Sequence, residues 1–361
     1  MISTFTASGE KFKYLSLFSG VGGFELGIGE RGECIGYSEI DKYSIETYQK
    51  HFKEHTNYGD ATTINAKGLP DFDLLVGGFP CQAFSIAGKR KGFDEARGTL
   101  FFDIARILKH KRPSHFFLEN VKGLLSHDSG KTFQVILEVL SDLGYGVEWQ
   151  LLNGKRYVPQ NRERIVIIGH LRDECTRKIL PFRFSGSENV EQKPIAHTIN
   201  SSDWRGANRN QKQTTINVIG SLNDETWSKR NESIRRVHGV DGIAPTTPTG
   251  TGGGVMTKIA IPVLTPDRAE KRQNGRRFKT DGEPAFTLNT QDIHGIYNGA
   301  RIRRLTPLEC ERLMGWEDNW TEGVSDTQRY KQCGNGIIAP MVTEVITALC
   351  NEGCLQERGI S

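Results

Sequence analysis

Gly77-Gly78-Phe79-Pro80-Cys81-Gln82 sets a thiol behind a proline and a pair of glycines. The apolar run Phe72 to Val76 just before it reads as a strand, so Cys81 falls on a loop at a strand's carboxyl end, the edge where open α/β sheets bind ligands. A lone cysteine is ordinarily a small buried hydrophobe, but one fixed by a proline on that edge is placed as a nucleophile. A second strand, His115 to Glu119, ends in Glu119-Asn120-Val121 and puts a carboxyl group on the same edge. Acid and nucleophile in one site is an arrangement for proton transfer coupled to covalent attack. Gln160-Asn161-Arg162-Glu163-Arg164 adds two arginines that point the same way if the chain is extended. They can hold oxygen acceptors or pair with nearby acids.

A further strand, Tyr14 to Phe18, runs into Ser19-Gly20-Val21-Gly22-Gly23-Phe24-Glu25, a glycine turn that lets backbone approach a ligand before a helix begins. The dinucleotide pattern GxGxxG fails here, because Glu25 stands where its last glycine belongs. Glu39, at the end of the next strand, is placed to accept from a ribose diol. Asp60, after Tyr58-Gly59, can accept from an exocyclic amine. Taken singly each acid reads as a solvated strand end; together after one glycine turn they suggest a nucleotide-like cofactor. The loop Ala83 to Gly98, with Lys89, Arg90, Lys91 and Arg97, reads either as an ordinary solvated loop or as a basic lid.

The elements that must carry these residues alternate from Tyr14 to about His170 as apolar runs and amphipathic stretches, the signature of a largely parallel sheet wrapped by helices. Strands are expected at Tyr14 to Phe18, Glu33 to Glu39, Phe72 to Val76, His115 to Glu119, Tyr145 to Leu151 and Arg164 to Gly169. Helices are expected at Leu100 to Lys109 and Lys131 to Leu143. After His170 the texture turns to Gly, Thr, Asn and Pro, as in Pro245 to Gly254, which is loop chemistry. Asp241-Gly242 with Thr247, and Asp281-Gly282 with Thr287, repeat one spacing. Either they are two similar turns, or related loops presenting polar groups to one ligand. Regular structure resumes where Thr306 caps a helix with Pro307 at its first position and Glu309 at its third. A last apolar helix, Ala339 to Leu349, needs the first domain as its partner, so the middle segment reads as inserted. The ranges are 1–170 for the catalytic and cofactor domain, 171–300 for a second domain, and 301–361 for a segment returning to the first.

The 361 residues suit two domains, and the formal charge of +4 requires any nucleic-acid surface to come from local clustering. The start, Met1 to Phe5, lacks a basic region with an apolar run, and nowhere do about 18 apolar residues stand together. The expectation is a cytoplasmic protein without membrane contact. The 7 cysteines show no paired CxxC spacing, so no metal is assigned.

Together these residues resemble the bacterial-type DNA cytosine-5 methyltransferase family over most of the chain. Phe18 to Gly23, Pro80-Cys81-Gln82, Glu119-Asn120-Val121, Gln160 to Arg164, Arg304-Leu305-Thr306-Pro307 through Gly315, and Gly334-Asn335-Gly336 occur in the family's order. The last block departs slightly, since the family usually has Ser or Ala where Gly336 stands and Val where Ile337 stands. The resemblance implies a Rossmann-like, S-adenosylmethionine-dependent fold with an inserted target-recognition domain in the Thr- and Gly-rich segment. It implies that Phe18, Gly20, Gly23, Glu39, Asp60, Pro80, Leu100 and Asn335 surround the cofactor, and that the reacting groups are Cys81, Glu119, Arg162 and Arg164. Cys81 would attack carbon 6 of a cytosine flipped from duplex DNA, Glu119 would serve ring nitrogen 3, and Arg164 would hold the exocyclic oxygen. The family expectation is a monomer on double-stranded DNA, and it leaves room for a companion restriction endonuclease that shares the site without a stable complex. Rival readings are a cytosine methyltransferase acting on transfer RNA, a DNA-binding protein without catalysis, and a nicotinamide dehydrogenase.

Overall fold

The computed structural model describes residues 11–80, 100–171, 179–180, 196–197, 215–216, 218–221, 236–238, 261–266, 276–280, 282–297, 302–351 and 355. Cys81, the basic loop 83–98, and Asp241, Gly242, Thr247 and Asp281 lie outside the described residues.

Strands β1 (Phe12–Leu17), β2 (Gly32–Ser38), β3 (Leu74–Gly78), β4 (His115–Val121), β5 (Tyr145–Asn153) and β6 (Glu163–Leu171) form one sheet in the order β2-β1-β3-β4-β6-β5. β1 runs parallel to β2 and β3, β3 runs parallel to β4, and β6 is antiparallel to β4. Both faces of the central strands are buried, which explains why they read as continuous apolar runs rather than alternating ones. On one face Leu15, Leu17, Leu75, Phe116, Leu118 and Ile167 pack with α3 (Leu100–Lys111) and α4 (Lys131–Asp142) through Phe101, Ile104, Leu108, Ile136 and Leu140. Each such side chain contributes about 1.5–3 kcal/mol of burial. The other face meets α1 (Gly23–Ile28), where Phe24 sits edge-on to Phe117 at 5.2 Å. Helix α2 (Lys42–His51) follows β2, its start capped by the Asp41 carboxylate.

The chain divides into two compact units: Met1–Leu152, Glu163–Ser185 and Ala339–Ser361 in the first, Asn153–Arg162 and Gly186–Ile338 in the second. These bounds differ from the ranges read off the sequence, for local reasons. Residues 179–180 stay with the first unit because Glu148 on β5 accepts the Ile179 and Leu180 amides at 3.2 and 2.7 Å. The chain returns to the first unit not at residue 301 but at helix α7 (Ala339–Asn351), whose Thr343 hydroxyl donates to the Gly27 carbonyl of α1 at 2.9 Å. Close helix packing requires Gly27, since a Cβ there would lie 2.4 Å from Val342.

The second unit contains two short strand pairs, β7 (Ala196–His197) with β8 (Thr215–Ile216) and β9 (Val218–Ser221) with β10 (Arg236–His238). Beyond them lies an antiparallel sheet of β11 (Ile261–Leu264), β12 (His294–Tyr297) and β13 (Ile302–Arg304). Helix α5 (Pro307–Leu313) begins with the expected capping box between Thr306 and Glu309. Helix α6 (Asp326–Asn335) follows. Asp326–Asn351 is the one stretch among the described residues long and apolar enough to cross a membrane, and 56% of its apolar window is buried; α6 and α7 are separate helices within it, parted at Gly336.

Candidate active site

β1 lies between β2 and β3, so the strand order reverses there, and the carboxyl edge at such a switch point is where open α/β sheets bind ligands. The turn leaving β1 carries left-handed backbone at Phe18 (φ 54°), Gly20 (φ 57°) and Gly22 (φ 89°). For Phe18 that conformation is strained, of a kind that gathers at ligand sites. Gly22 has to be glycine, because a Cβ would come within 2.5 Å of the Phe52 ring. A Cβ at Gly20 would meet nothing within 4 Å, so the space before the turn is open. The Gly20 amide donates to Glu39 Oε2 at 2.9 Å, while Glu39 Oε1 accepts the Ile40 and Asp41 amides at 2.8 Å each. Glu39 is thereby fixed beside the glycine turn rather than left as a solvated strand end.

The end of β2 is tied to the next segment by the Ser38 hydroxyl, which donates to the Gly59 carbonyl at 2.6 Å. Asp60 follows, its Oδ1 accepting the Thr62 amide at 2.9 Å. Arg106 of α3 gathers this region by donating to the carbonyls of Ile64 and Ala61 and to Asp103. Burial raises the Asp103 carboxyl above its usual range, with Arg106 opposing and the charge of Asp60 adding slightly. Leu100, half-buried, opens α3, and Pro80 is exposed after β3. Ile40, 71% exposed beside Glu39, was not singled out from sequence; an apolar residue standing between Glu39 and Asp41 was the available signal.

The second cluster forms where β3 and β4 end beside the start of β6. Gly78 pairs with Glu119, and Glu119 with Val166 across the other ladder. Arg164 Nε lies 2.8 Å from Glu119 Oε1, both side chains nearly buried, and Arg164 Nη1 donates to the Glu163 carbonyl at 2.8 Å. A Cβ on Gly78 would stand 3.2 Å from Glu119 Oε2, so the glycine makes room for the carboxylate. Asn120 is also buried, and its Nδ2 donates to the Phe79 carbonyl at 2.9 Å. Glu119 and Arg164 are thus in contact at the end of β4, next to β3, the strand that precedes Cys81 in the sequence.

Arg162 is placed differently. It is 1% exposed in the second unit, where Nη1 donates to the Leu288 carbonyl at 2.7 Å and Nη2 to the carbonyls of Gly334 and Gly336 at 2.9 and 2.6 Å. Its guanidinium braces backbone of the second unit. Asn335, between those two glycines, is exposed at the end of α6. Gln160 belongs to the same brace: Nε2 donates to the Leu313 carbonyl at 2.8 Å and Oε1 accepts the Leu288 amide at 3.0 Å. Thr287, one of the two echoed threonines, donates its hydroxyl to the Asn161 carbonyl, a tie within the second unit.

A family model for the C-5 cytosine-specific DNA methylases matches residues 12–351. Among similar proteins, the orphan methyltransferase M.SPRI of Bacillus phage SPR is 37% identical, covering 94% of this chain and 97% of that one. The type II methyltransferase M.HpaII of Haemophilus parainfluenzae is 38% identical, covering 92% and 87%. Among solved structures, the S. pombe Dnmt2 methyltransferase superposes with a TM-score of 0.57 at 16% identity over 95% of this chain and 99% of that one, a likeness of fold. The mostly parallel sheet, the glycine turn and the ordered blocks are therefore those of a methyltransferase, and the chain belongs to the C-5 cytosine-specific DNA methylase family.

Proposed function

We propose that this chain methylates carbon 5 of cytosine at a specific short motif in duplex DNA, through a covalent adduct of Cys81 with a flipped base. The observation that carries the reading is the Glu119–Arg164 pair at the end of β4, on the edge that leads through Phe79 and Pro80 to Cys81. The first unit's other cluster fits S-adenosylmethionine. The open face at Gly20 admits a ligand against backbone, the carboxylates of Glu39 and Asp60 suit hydroxyl and amine donors, and Ile40 offers an exposed apolar surface for a ring. Phe18, Gly20, Gly23, Glu39, Asp60, Pro80 and Leu100 are the residues assigned to it. When bound, that cofactor supplies an electrophilic methyl group.

Cytosine carbon 5 is too weak a nucleophile to take that methyl while the ring is conjugated. The Cys81 thiolate adds to carbon 6, forming a C–S bond, while Glu119 holds a proton at ring nitrogen 3 and Arg164 holds the exocyclic oxygen. Carbon 5 then has enamine character and gains the methyl. Loss of the carbon-5 proton to a base, with the electron pair returning to the ring, expels the Cys81 thiolate. These atoms are hidden in a duplex, so the base has to leave the stack, at a cost of about a few kcal/mol. The second unit, which holds the Thr- and Gly-rich segment, is assigned the reading of the DNA motif. That similar proteins are type II and phage orphan methyltransferases supports assigning this chain a role in restriction-modification or phage DNA protection, exercised in the cytoplasm.

The test is incubation with methyl-labelled S-adenosylmethionine and mixed-sequence duplex DNA beside Cys81→Ser, followed by bisulfite sequencing. Methylation at one short motif, lost in the variant, is the expected result. Label transferred to transfer RNA instead of DNA would overturn the substrate, and an active Cys81→Ser would overturn the adduct.

A further inference from the structure

Asn120 follows Glu119 on β4, and its side chain does something that neither the acid nor the arginine does. The parallel ladder between β3 and β4 pairs Gly77 with Leu118 and Gly78 with Glu119, and there it stops. The next step along β3 is Phe79, whose carbonyl would lose its ladder partner in a region where unpaired polar groups are costly. The Asn120 side chain replaces that partner: Nδ2 donates to the Phe79 carbonyl at 2.9 Å, and Oδ1 accepts the Val121 amide at 2.8 Å. Asn120 is 2% exposed, so this clamp is screened from water, and the Phe79 ring is itself buried against Phe101 at 5.6 Å.

What the clamp holds follows from backbone geometry. The Phe79 carbonyl belongs to the planar peptide that joins Phe79 to Pro80, so fixing its oxygen fixes the whole plane. Pro80 then locks its own φ near −65° through its ring. Between the clamped plane and the Cys81 amide a single soft torsion remains, the ψ of Pro80. Ordinary loop residues would leave two or more. An asparagine that pins the plane and a proline that stiffens the next torsion therefore act in series on one outcome, the direction in which the chain delivers residue 81.

We propose that Asn120 is a positioning residue for the nucleophile, acting through the Phe79–Pro80 peptide and not by touching substrate; the proposal rests on the reading of Cys81 given above. Asn120→Asp isolates the effect. It is nearly isosteric and keeps an acceptor for the Val121 amide, but it removes the N–H donor and sets an oxygen against the Phe79 carbonyl. Asn120→Ala, which removes both bonds, repeats the test should the buried aspartate hinder folding.

Each variant is compared with the unchanged chain in single-turnover methylation of the mapped DNA motif, in trapping on the same duplex with 5-fluorocytosine at the target, and in S-adenosylhomocysteine affinity. Thermal midpoints accompany each. The expected pattern is a fall of about 10- to 100-fold in both methylation and trapping rates, the cost of a small misplacement of a reacting atom. Cofactor affinity and the KM for DNA should stay within about twofold. A variant whose rates match the unchanged chain, or fall only as far as its folded fraction or affinity falls, overturns the proposal and leaves Asn120 a structural residue. If the unchanged chain methylates DNA without ever trapping on 5-fluorocytosine, the Cys81 reading itself fails, and the proposal falls with it.

Discussion

Arg162 and Arg164 stand two residues apart in one short motif, yet they serve different parts of the molecule. Arg164, on β6, places Nε 2.8 Å from the Glu119 carboxylate at the sheet edge of the first unit. Arg162, just before that strand, gives Nη1 and Nη2 to three backbone carbonyls inside the second unit. A carboxylate partner can exchange for a substrate oxygen without breaking the fold. Three carbonyls from two separated segments cannot, because each is an acceptor that loses its donor in a buried place. The difference shows that spacing within a motif indicates which way side chains point but not what they meet.

The largest effects should separate the two arginines by kind. Arg164→Ala and Glu119→Gln are expected to lower methylation per folded molecule by about 100- to 1,000-fold, the usual range for removing an acid–base or charge-stabilising group, beyond whatever stability is lost by opening their nearly buried ion pair. Arg162→Ala is expected to do the reverse in origin. It strands the carbonyls of Leu288, Gly334 and Gly336 and should cost about 3–5 kcal/mol of stability, read from the denaturant midpoint. An Arg162→Ala protein as stable as its parent, but inactive, would return that arginine to the reacting groups.

Buried acids give a second contrast between the regions. In the second unit Glu309 lies 2.6 Å from Arg303, and Glu311 lies 2.8 Å from Arg329. In the first unit Glu25 is equally buried, but hydroxyls face it: Tyr48 donates to Oε1 at 3.0 Å and is in turn 2.9 Å from His55 Nδ1. Burial pushes the Glu25 carboxyl up from 4.5 to about 7, with the hydroxyls of Ser16 and Tyr48 opposing. A carboxyl whose folded value is raised stabilises the fold fully below its unfolded value, and that contribution is lost as pH climbs through the folded value. Between 4.5 and about 7 the difference amounts to about 3 kcal/mol, at roughly 1.4 kcal/mol per tenfold change in proton affinity. Urea midpoints should therefore decline from pH 5 to pH 8 in the unchanged chain and decline less in Glu25→Gln. Parallel declines in the two proteins would remove Glu25 from the cause.

The sequence made the first unit legible because its strands are buried on both faces and its turns use residues with few alternatives. Leu74, Leu75 and Val76 could be read as a strand without knowing their neighbours, and the glycines after β1 demanded positive φ. The capping box at Thr306 was equally local, needing only residues 306 to 309. What escaped were long-range ties. Nothing near Arg162 announces a carbonyl at residue 334 or 336, and nothing near Asn120 announces the end of a ladder with β3. The unit boundary at 162 and 163 was hidden for the same reason, since it depends on pairing such as that of the Asn161 amide with the Ala285 carbonyl at 2.9 Å.

One added carbon tests the contrast at its smallest scale. At Gly336 a Cβ would lie 2.3 Å from the Trp316 ring, whose indole N–H is fixed on the Ile337 carbonyl at 3.0 Å. The ring occupies the space that the family's usual Ser or Ala would need, so the glycine here is matched to the tryptophan. Gly336→Ala should destabilise by about 1–3 kcal/mol, as overpacking does, and Trp316→Phe in the same chain should restore part of the loss. At Gly78 the new Cβ meets only the far end of a carboxylate, 3.2 Å away, which can yield by a few tenths of an ångström. Gly78→Ala should therefore leave the thermal midpoint nearly unchanged. That small yielding moves Glu119 Oε2, however, and if the carboxyl serves a ring nitrogen the methylation rate should drop by about tenfold. A Gly78→Ala enzyme with unchanged turnover would mean that Glu119 tolerates displacement, and so does not work from the position its contact with Arg164 defines.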